Sequence, residues 1–380
     1  MIDPQITSIQ VSGGRYNVNV TTESAQPVLL FDDISLFHDI FLVKDTIYFV
    51  QFSYSNNSRS KEIQSCRESC RFYILGEKDS VESEIKPEFI YQGFVRVLQY
   101  TGRNLSAADT VRLKVIWPSG NITLELRRVS LPPRTGITQM TLFKDDAHFI
   151  IPWVEYHNRM GISRFLLYCN KPMGPHDFNE LLSGLDIVLD VDIKFVEWDF
   201  RYWHGGKKDN YVAHHAQLPA MIDARFRIAD TSKYILYNDL DEYIYLPPEY
   251  RTLIEYIGLY DRKDIQNIKF QELTAQLDTK EKIKDYRMLK ERKTAKTWKG
   301  CLRSGKSAVK TDDYPKCMYV HGGTGPSLVM PTGMIHISNC SWYRDRGAGT
   351  PVDDNLPFDL DNPGRYEPVV HPQRYEPLKK

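Results

Sequence analysis

The residues with the clearest chemical potential are three carboxylates, Asp239, Asp241 and Glu242, which stand between two apolar runs. Residues two apart in an extended segment point to the same side, so Asp239 and Asp241 bring like charges together. Such a pair is costly unless a cation lies beside it. Carboxylate oxygens suit Mg²⁺ or Mn²⁺, which keep positions open for phosphate oxygens. We therefore predict a Mn²⁺ or Mg²⁺ site here, although a solvated acidic turn is the simpler alternative.

The segment that contains these carboxylates predicts strands alternating with helices, which is typical of an α/β domain with a largely parallel sheet. The predicted strands are 138–143, 164–168, 193–198 and 234–237, and the predicted helices are 146–160, 178–185 and 211–228. Pro219 is expected to kink the last helix. Ligands of such sheets bind at the carboxyl ends of the strands. We therefore expect the residues after the first two strands to lie at the ligand-binding edge, namely Lys144, Asp145, Asp146 and Asn170.

Residues 1–131 are rich in β-branched and aromatic runs and predict a β-rich N-terminal domain, with a hairpin between 111–117 and 122–126. Two prolines and a glycine at 132–136 indicate a connector. The predicted division is thus 1–131, an α/β domain at 137–345, and a Pro-rich tail at 346–380 that is loosely packed or disordered.

Composition excludes several classes of protein. The 380 residues hold 49 Lys plus Arg and 49 Asp plus Glu, so no net charge attracts nucleic acid. No apolar run could cross a membrane, and no leader or anchor is visible. Glycosylation acceptor sequences nevertheless occur at Asn19, Asn56, Asn104, Asn121 and Asn339. With six cysteines, they favour the secretory pathway, and Golgi lumen with a membrane anchor in the full-length form is the prediction.

Cys66 and Cys70 stand four apart, with no second Cys or His pair at zinc-finger spacing. They predict either a local loop staple or two free thiols. His214 and His215 do not predict a zinc site, because adjacent helical residues point about 100° apart.

Three segments together resemble glycosyltransferase family 92: the charged cluster at 143–147, the Trp/Glu/His pattern at 153–157, and the Asp-x-Asp-Glu-aromatic pattern at 239–243. The resemblance covers about residues 138–345. It implies a GT-A fold, Rossmann-like with a mostly parallel sheet. It also implies inverting transfer of a hexose from a UDP-sugar, with UDP-galactose as first candidate, to a glycan or glycoprotein acceptor. Fucose on an N-glycan is one candidate acceptor.

The resemblance also implies roles for individual residues. Asp241 would ligate Mn²⁺ directly, and Asp239 would contact the donor ribose, or the metal through water. A late histidine would complete the metal site, and either His321 or His336 could serve; His336 could equally be a core histidine. Lys306 would pair with phosphate. Lys144, Asp145 and Asp146 would face the nucleotide, and Asn170 could reach its base or ribose.

An inverting transfer needs a base for the proton of the acceptor hydroxyl. Glu272, after an apolar run at 268–270, is the first candidate, with Glu242 and Asp285 behind it.

Two other functions stay open. One is a glycan-binding or scaffold protein whose α/β domain has lost its catalytic activity. The other is a metal-dependent phosphodiesterase or nucleotidyltransferase, which needs further carboxylates for a second metal. No motif in the sequence supplies those carboxylates.

Overall fold

The structure is a computed structural model of the chain. It describes residues 9–13, 16–31, 34–52, 60–76, 81–93, 95–106, 108–129, 135–144, 146–170, 189–200, 216–228, 231–247, 249–276, 294–299, 306–312, 318–319, 322–323, 326–337 and 351–357. Asp145, Asp285, His321 and the predicted helix 178–185 lie outside these residues.

The elements are numbered along the chain. The strands are β1 (Ile9–Gly13), β2 (Tyr16–Ser24), β3 (Val28–Phe31), β4 (Ile34–Phe37), β5 (Asp39–Val43), β6 (Thr46–Phe52), β7 (Arg71–Leu75), β8 (Val81–Ile85), β9 (Glu88–Gln92), β10 (Val95–Thr101), β11 (Thr110–Trp117), β12 (Gly120–Arg127), β13 (Thr135–Phe143), β14 (Arg164–Cys169), β15 (Leu189–Glu197), β16 (Ser232–Tyr237), β17 (Glu242–Ile244), β18 (Asn267–Gln276), β19 (Thr294–Lys299), β20 (Ser307–Lys310), β21 (Met318–Tyr319), β22 (Gly322–Gly323), β23 (Ser327–Ile337) and β24 (Pro351–Pro357). The helices are α1 (Ser60–Glu68), α2 (Ile150–Arg159), α3 (Gln217–Ile228) and α4 (Leu253–Gly258), with 3₁₀ turns at Arg103–Leu105 and Ala147–Phe149.

A large sheet organises the α/β part, in the order β1-β2-β15-β14-β13-β16-β20-β18-β19-β24, with β23 on β18 and β17 on β23. The strands β2, β15, β14, β13 and β16 run parallel. From β20 onward most pairs are antiparallel. The sheet is therefore mixed, and the expectation of a mostly parallel sheet is correct only for its first half. The alternating strands and helices predicted that half, because helical crossovers join parallel strands.

Strand β14 shows how the sheet is covered on both faces. All six of its residues are buried, and they alternate between two apolar cores. Phe165 and Leu167 join the core that contains α2 and α4, whereas Leu166 and Tyr168 join the core that contains α3. Successive strand side chains point to opposite faces, so helices lie on both sides of the sheet.

The N-terminal part contains two four-stranded sheets, β5-β6-β10-β9 and β12-β11-β7-β8, which enclose a third apolar core. The predicted hairpin is confirmed, since β11 and β12 pair antiparallel from Thr110–Arg127 to Trp117–Gly120. However, β1 and β2 do not join these sheets. They pair with the large sheet, where β2 lies parallel to β15. The large sheet thus includes strands from both sides of the predicted division at 131.

Two sequence expectations need correction. The described part of the predicted helix 211–228 begins at Gln217, so Pro219 lies in its first turn, where proline is tolerated, rather than at a kink. The tail is not irregular throughout, because β24 pairs antiparallel with β19. Of the two alternatives predicted for Cys66 and Cys70, free thiols are confirmed, since no disulfide joins them. No helix in the described part of the chain is long and apolar enough to cross a membrane.

Candidate active site

The acidic residues form the turn that links β16 to β17, at the carboxyl end of the parallel strands. Asn238, which is buried, anchors both sides of this turn. Its Oδ1 accepts a hydrogen bond from Nε2 of Gln139 in β13 (2.6 Å), and its Nδ2 donates to the carbonyl oxygen of Glu242 (2.8 Å). The turn is therefore fixed to the central strand of the sheet, where ligands of α/β folds bind.

Within the turn, the three carboxylates differ in accessibility. The backbone N–H of Glu242 donates to the carbonyl oxygen of Asp239 (3.0 Å), and Glu242 Oε2 accepts from the N–H of Asp239 (2.7 Å). The side chain of Asp239 is 41% exposed, that of Asp241 13%, and that of Glu242 3%. Burial raises the pKa of Glu242 to about 8, against the opposing effect of Lys306. Glu242 thus points inward and shapes the turn.

Lys306 is a buried cation beside this turn. Ser307 pairs with Tyr237 at the start of β20, which places Lys306 next to Asn238 and Asp239. Its Nζ lies 2.9 Å from Asp239 Oδ2 and 3.6 Å from Glu242 Oε2. Burial would lower the pKa of Lys306, but the charges of Asp239 and Glu242 raise it above its ordinary value. The predicted phosphate-binding lysine is therefore charged and belongs to the site.

His336 is a second cation at the site. Its Nε2 lies 3.4 Å from Asp241 Oδ2, and its Nδ1 lies 2.9 Å from Glu272 Oε1. Burial would lower the pKa of His336, but the adjacent Asp241 dominates, and the pKa rises to about 11. Burial would raise the pKa of Asp241, but the charge of His336 lowers it below its ordinary value. His336 therefore lies beside the acidic turn, and its role as a metal ligand stays a prediction.

Helix α2 holds the backbone of β17 in place. Trp153 Nε1 donates to the carbonyl oxygen of Glu242 (3.2 Å), and the Tyr156 hydroxyl donates to that of Ile244 (2.6 Å). The N–H of Ile244 donates to His157 Nε2 (3.5 Å), while His157 Nδ1 lies 2.8 Å from the carbonyl oxygen of Trp153. Burial lowers the pKa of His157 to about 3, so its ring is neutral. The Trp/Glu/His pattern of the sequence thus supports the acidic turn, a role that spacing alone does not indicate.

The other predicted residues lie near the ends of β13 and β14. Lys144 is exposed after β13. Asp146 precedes the 3₁₀ turn, and its carbonyl oxygen accepts from the N–H of Phe149 (2.9 Å). Asn170 Nδ2 donates to the carbonyl oxygens of Trp198 (2.8 Å) and Phe200 (2.6 Å), so its amide holds the segment after β15. Contact of these residues with a nucleotide stays a prediction.

A small crevice adjoins the turn. Its lining comes from the ends of β13 and β16, the first turns of α3, and Lys306, and consists of Met140, Thr141, Leu142, Gln217, Met221, Tyr237, Asn238, Asp239 and Lys306. The crevice therefore joins a partly apolar wall to the carboxylate of Asp239 and the ammonium group of Lys306.

The described residues include no group of three or more His, Cys, Asp or Glu side chains arranged to hold a metal ion. Asp241 Oδ2 and His336 Nε2, 3.4 Å apart, offer two ligands. That separation is near the roughly 3.0 Å expected for neighbouring ligands about 2.1 Å from one octahedral ion. Mg²⁺ and Mn²⁺ usually take their remaining ligands from water and phosphate. The donor set thus fits an ion shared between the protein and a diphosphate.

Comparison with known protein families gives a match to the segment that contains the acidic turn. The model of the family described as Glycosyltransferase family 92 matches residues 138–322. The match contains the Asp239–Glu242 turn, Glu272 and Lys306, and it ends before His336. No curated protein matched the sequence. Residues 138–322 of this chain are therefore similar to glycosyltransferase family 92.

Proposed function

We propose that this glycosyltransferase moves a hexose from a UDP-sugar, with galactose as first candidate, to a glycan acceptor in an inverting, divalent-metal-dependent reaction. The observation that carries the proposal is the pairing of Asp241 with His336 beside a crevice that contains Asp239 and Lys306. Carboxylate, imidazole and ammonium groups converge there at the carboxyl ends of the strands. This is the set of charges that a sugar nucleotide and its metal ion require.

Asp241 and His336 would hold the metal ion, and Asp239 would contact the donor ribose, or the metal through water. A bound Mn²⁺ or Mg²⁺ supplies Lewis-acid stabilisation of the negative charge on the departing diphosphate. Lys306 provides a further positive charge at the same place. Because Asp239 is the most exposed of the three carboxylates, it is also the one that a donor could reach with least rearrangement.

In an inverting transfer, the acceptor hydroxyl oxygen attacks the anomeric carbon while the bond from that carbon to the diphosphate breaks. UDP leaves, and the hydroxyl proton passes to a base. The two predicted bases within the described residues are deeply buried and engaged: Glu242 accepts the N–H of Asp239, and Glu272 contacts His336. The geometry therefore supports leaving-group stabilisation more strongly than proton removal by either residue.

We also propose that the protein resides in the secretory pathway. Two of the five acceptor sequences lie in the described residues with exposed asparagines, Asn104 in the first 3₁₀ turn and Asn121 on β12. Expression in a eukaryotic host, followed by intact mass measurement before and after deglycosylation, tests their use. A mass decrease supports lumenal residence, and an unchanged mass contradicts it.

A donor panel tests the activity itself. Purified protein is incubated with individual UDP-hexoses and glycan acceptors, with Mn²⁺ or with EDTA, and UDP release is measured. The proposal predicts acceptor-dependent release with one donor, its loss in EDTA, and its loss in Asp241→Asn. Asp264→Asn, at an exposed position, is the matched control. Full turnover by Asp241→Asn contradicts the proposal. The absence of metal-dependent binding of any donor also contradicts it, and would favour a glycan-binding protein that has lost its catalytic activity.

A further inference from the structure

Glu272 lies on the far side of His336 from the acidic turn. On β18 it pairs with Met334, and His336 stands two residues further along β23. Residues two apart on a strand share a face, so the side chains of Glu272 and His336 point to the same side of the sheet. Glu242 stands directly opposite His336 on β17. Three neighbouring strands thus present Glu242, His336 and Glu272 together.

Two successive side-chain contacts connect Glu272 to the acidic turn through His336. Glu272 Oε1 is 2.9 Å from His336 Nδ1, and His336 Nε2 is 3.4 Å from Asp241 Oδ2. A carboxylate at Nδ1 keeps a proton on that nitrogen, so Nε2 is the atom that gives up its proton when a metal ion binds. The ring is also fixed in orientation, because both of its nitrogens are engaged.

Burial separates Glu272 from any acceptor. Its side chain is 2% exposed, whereas those of His336 and Asp241 are 21% and 13% exposed. Solvent, and hence a glycan hydroxyl, meets His336 and Asp241 before it meets Glu272. A general base must come within hydrogen-bond reach of the proton that it removes. Glu272 fails that requirement in this arrangement but is well placed to act through His336.

We infer that Glu272 is a positioning residue: it fixes the ring of His336 so that Nε2, together with Asp241, binds the catalytic divalent metal ion. The inference rests on the proposed function, since it assigns His336 and Asp241 as metal ligands. It replaces the sequence-based interpretation of Glu272 as the general base with a different role for the same side chain. The two roles predict opposite results for metal binding without substrate.

Mn²⁺ affinity, measured by electron paramagnetic resonance of free Mn²⁺ without donor or acceptor, separates these roles. Removal of a carboxylate behind a metal-binding histidine weakens metal binding about 10–100-fold. Glu272→Ala should show such a loss, and excess Mn²⁺ should restore much of its transferase activity. Glu272→Gln, which keeps an acceptor oxygen for Nδ1, should lose less Mn²⁺ affinity and less transferase activity than Glu272→Ala. Glu125→Ala, at an exposed position of β12, should bind Mn²⁺ as the wild type does.

A double-mutant cycle tests whether Glu272 acts through His336. Adding Glu272→Ala to His336→Ala should cause no further loss of Mn²⁺ affinity, because the intermediary is already missing. Additive losses would overturn the inference. The inference would also be overturned if both Glu272 variants bound Mn²⁺ as tightly as the wild type does and if excess Mn²⁺ did not restore their lost activity. The Gln variant keeps the test decisive if the Ala variant fails to fold.

Failure of the inference and failure of the proposed function look different. If the wild type binds no Mn²⁺, both are wrong. If the wild type binds Mn²⁺ and the Glu272 variants bind it equally well, only the role of Glu272 is wrong.

Discussion

Arg227 provides the sharpest test of how the N-terminal strands are joined to the α/β sheet. This α3 residue is 1% exposed and forms ion pairs with Asp223 in α3, Asp39 in β5 and Glu23 in β2. Asp39 and Asp223 are fully buried. The guanidinium group also lies 4.2 Å from the ring centroid of Phe41. Two of the three carboxylates therefore come from residues before the predicted division at 131.

Arg227→Met keeps most of the apolar volume and removes the charge. Breaking a buried ion pair by removing one partner typically costs about 3–5 kcal/mol, because a buried charge is left uncompensated. The single variant should lose that amount of unfolding free energy, and the double variant Arg227→Met/Asp223→Asn should regain part of it. Burial raises the pKa of Asp39 well above its ordinary value. Protonation of Asp39 limits the cost but does not abolish it.

Urea denaturation followed by both tryptophan fluorescence and far-UV circular dichroism measures the effect. We expect one shared transition in the wild type, shifted to lower urea in Arg227→Met. A loss below about 1 kcal/mol would refute the reasoning, since it would mean that the buried charges do not need Arg227. Two separate transitions would show that residues 1–131 unfold independently of the large sheet.

Two further predictions concern single contacts. Arg227 and Lys194 lower the pKa of Glu23 to about 2 from 4.5, against the effect of burial. The wild type should therefore be more stable than Glu23→Gln above pH 4.5, and this difference in unfolding free energy should decrease, by at most about 3 kcal/mol, as the pH falls towards 2. Urea denaturation at a series of pH values measures the difference. A difference that grows on acidification contradicts the prediction. Tyr156→Phe removes the hydrogen bond to the Ile244 carbonyl oxygen and should cost about 1–2 kcal/mol. It should also reduce turnover, because the acidic turn loses support; unchanged stability and turnover would refute that role.

The sequence predicted those parts of the fold that local patterns determine. Alternating strands and helices predicted β13, α2, β14 and β16, and the turn residues at 118–121 predicted the hairpin of β11 and β12. The carboxylates after β16 were recognised because charge between two apolar runs is unusual. Each of these features depends on neighbouring residues in the chain.

Features that depend on distant pairing could not be predicted. The parallel pairing of β2 with β15 joins segments more than 150 residues apart, and no local pattern encodes it. On β23, the register with β18 changes between Lys269–Val329 and Gln271–Gly333. Without that bulge, His336 would stand opposite Gln276 rather than Thr274, and Glu272 could not reach it. The contact between Glu272 and His336 is therefore a consequence of strand register.

Binding of UDP in the presence and absence of Mn²⁺, measured by titration calorimetry on the wild type and Asp241→Asn, tests the central claim most directly. We predict that the wild type binds UDP with Mn²⁺ and loses that affinity in EDTA. Asp241→Asn should lose the metal-dependent part, while Asp264→Asn keeps it. Equal UDP affinity with and without Mn²⁺ in the wild type, or an unchanged metal dependence in Asp241→Asn, would contradict the assignment of Asp241 as a metal ligand.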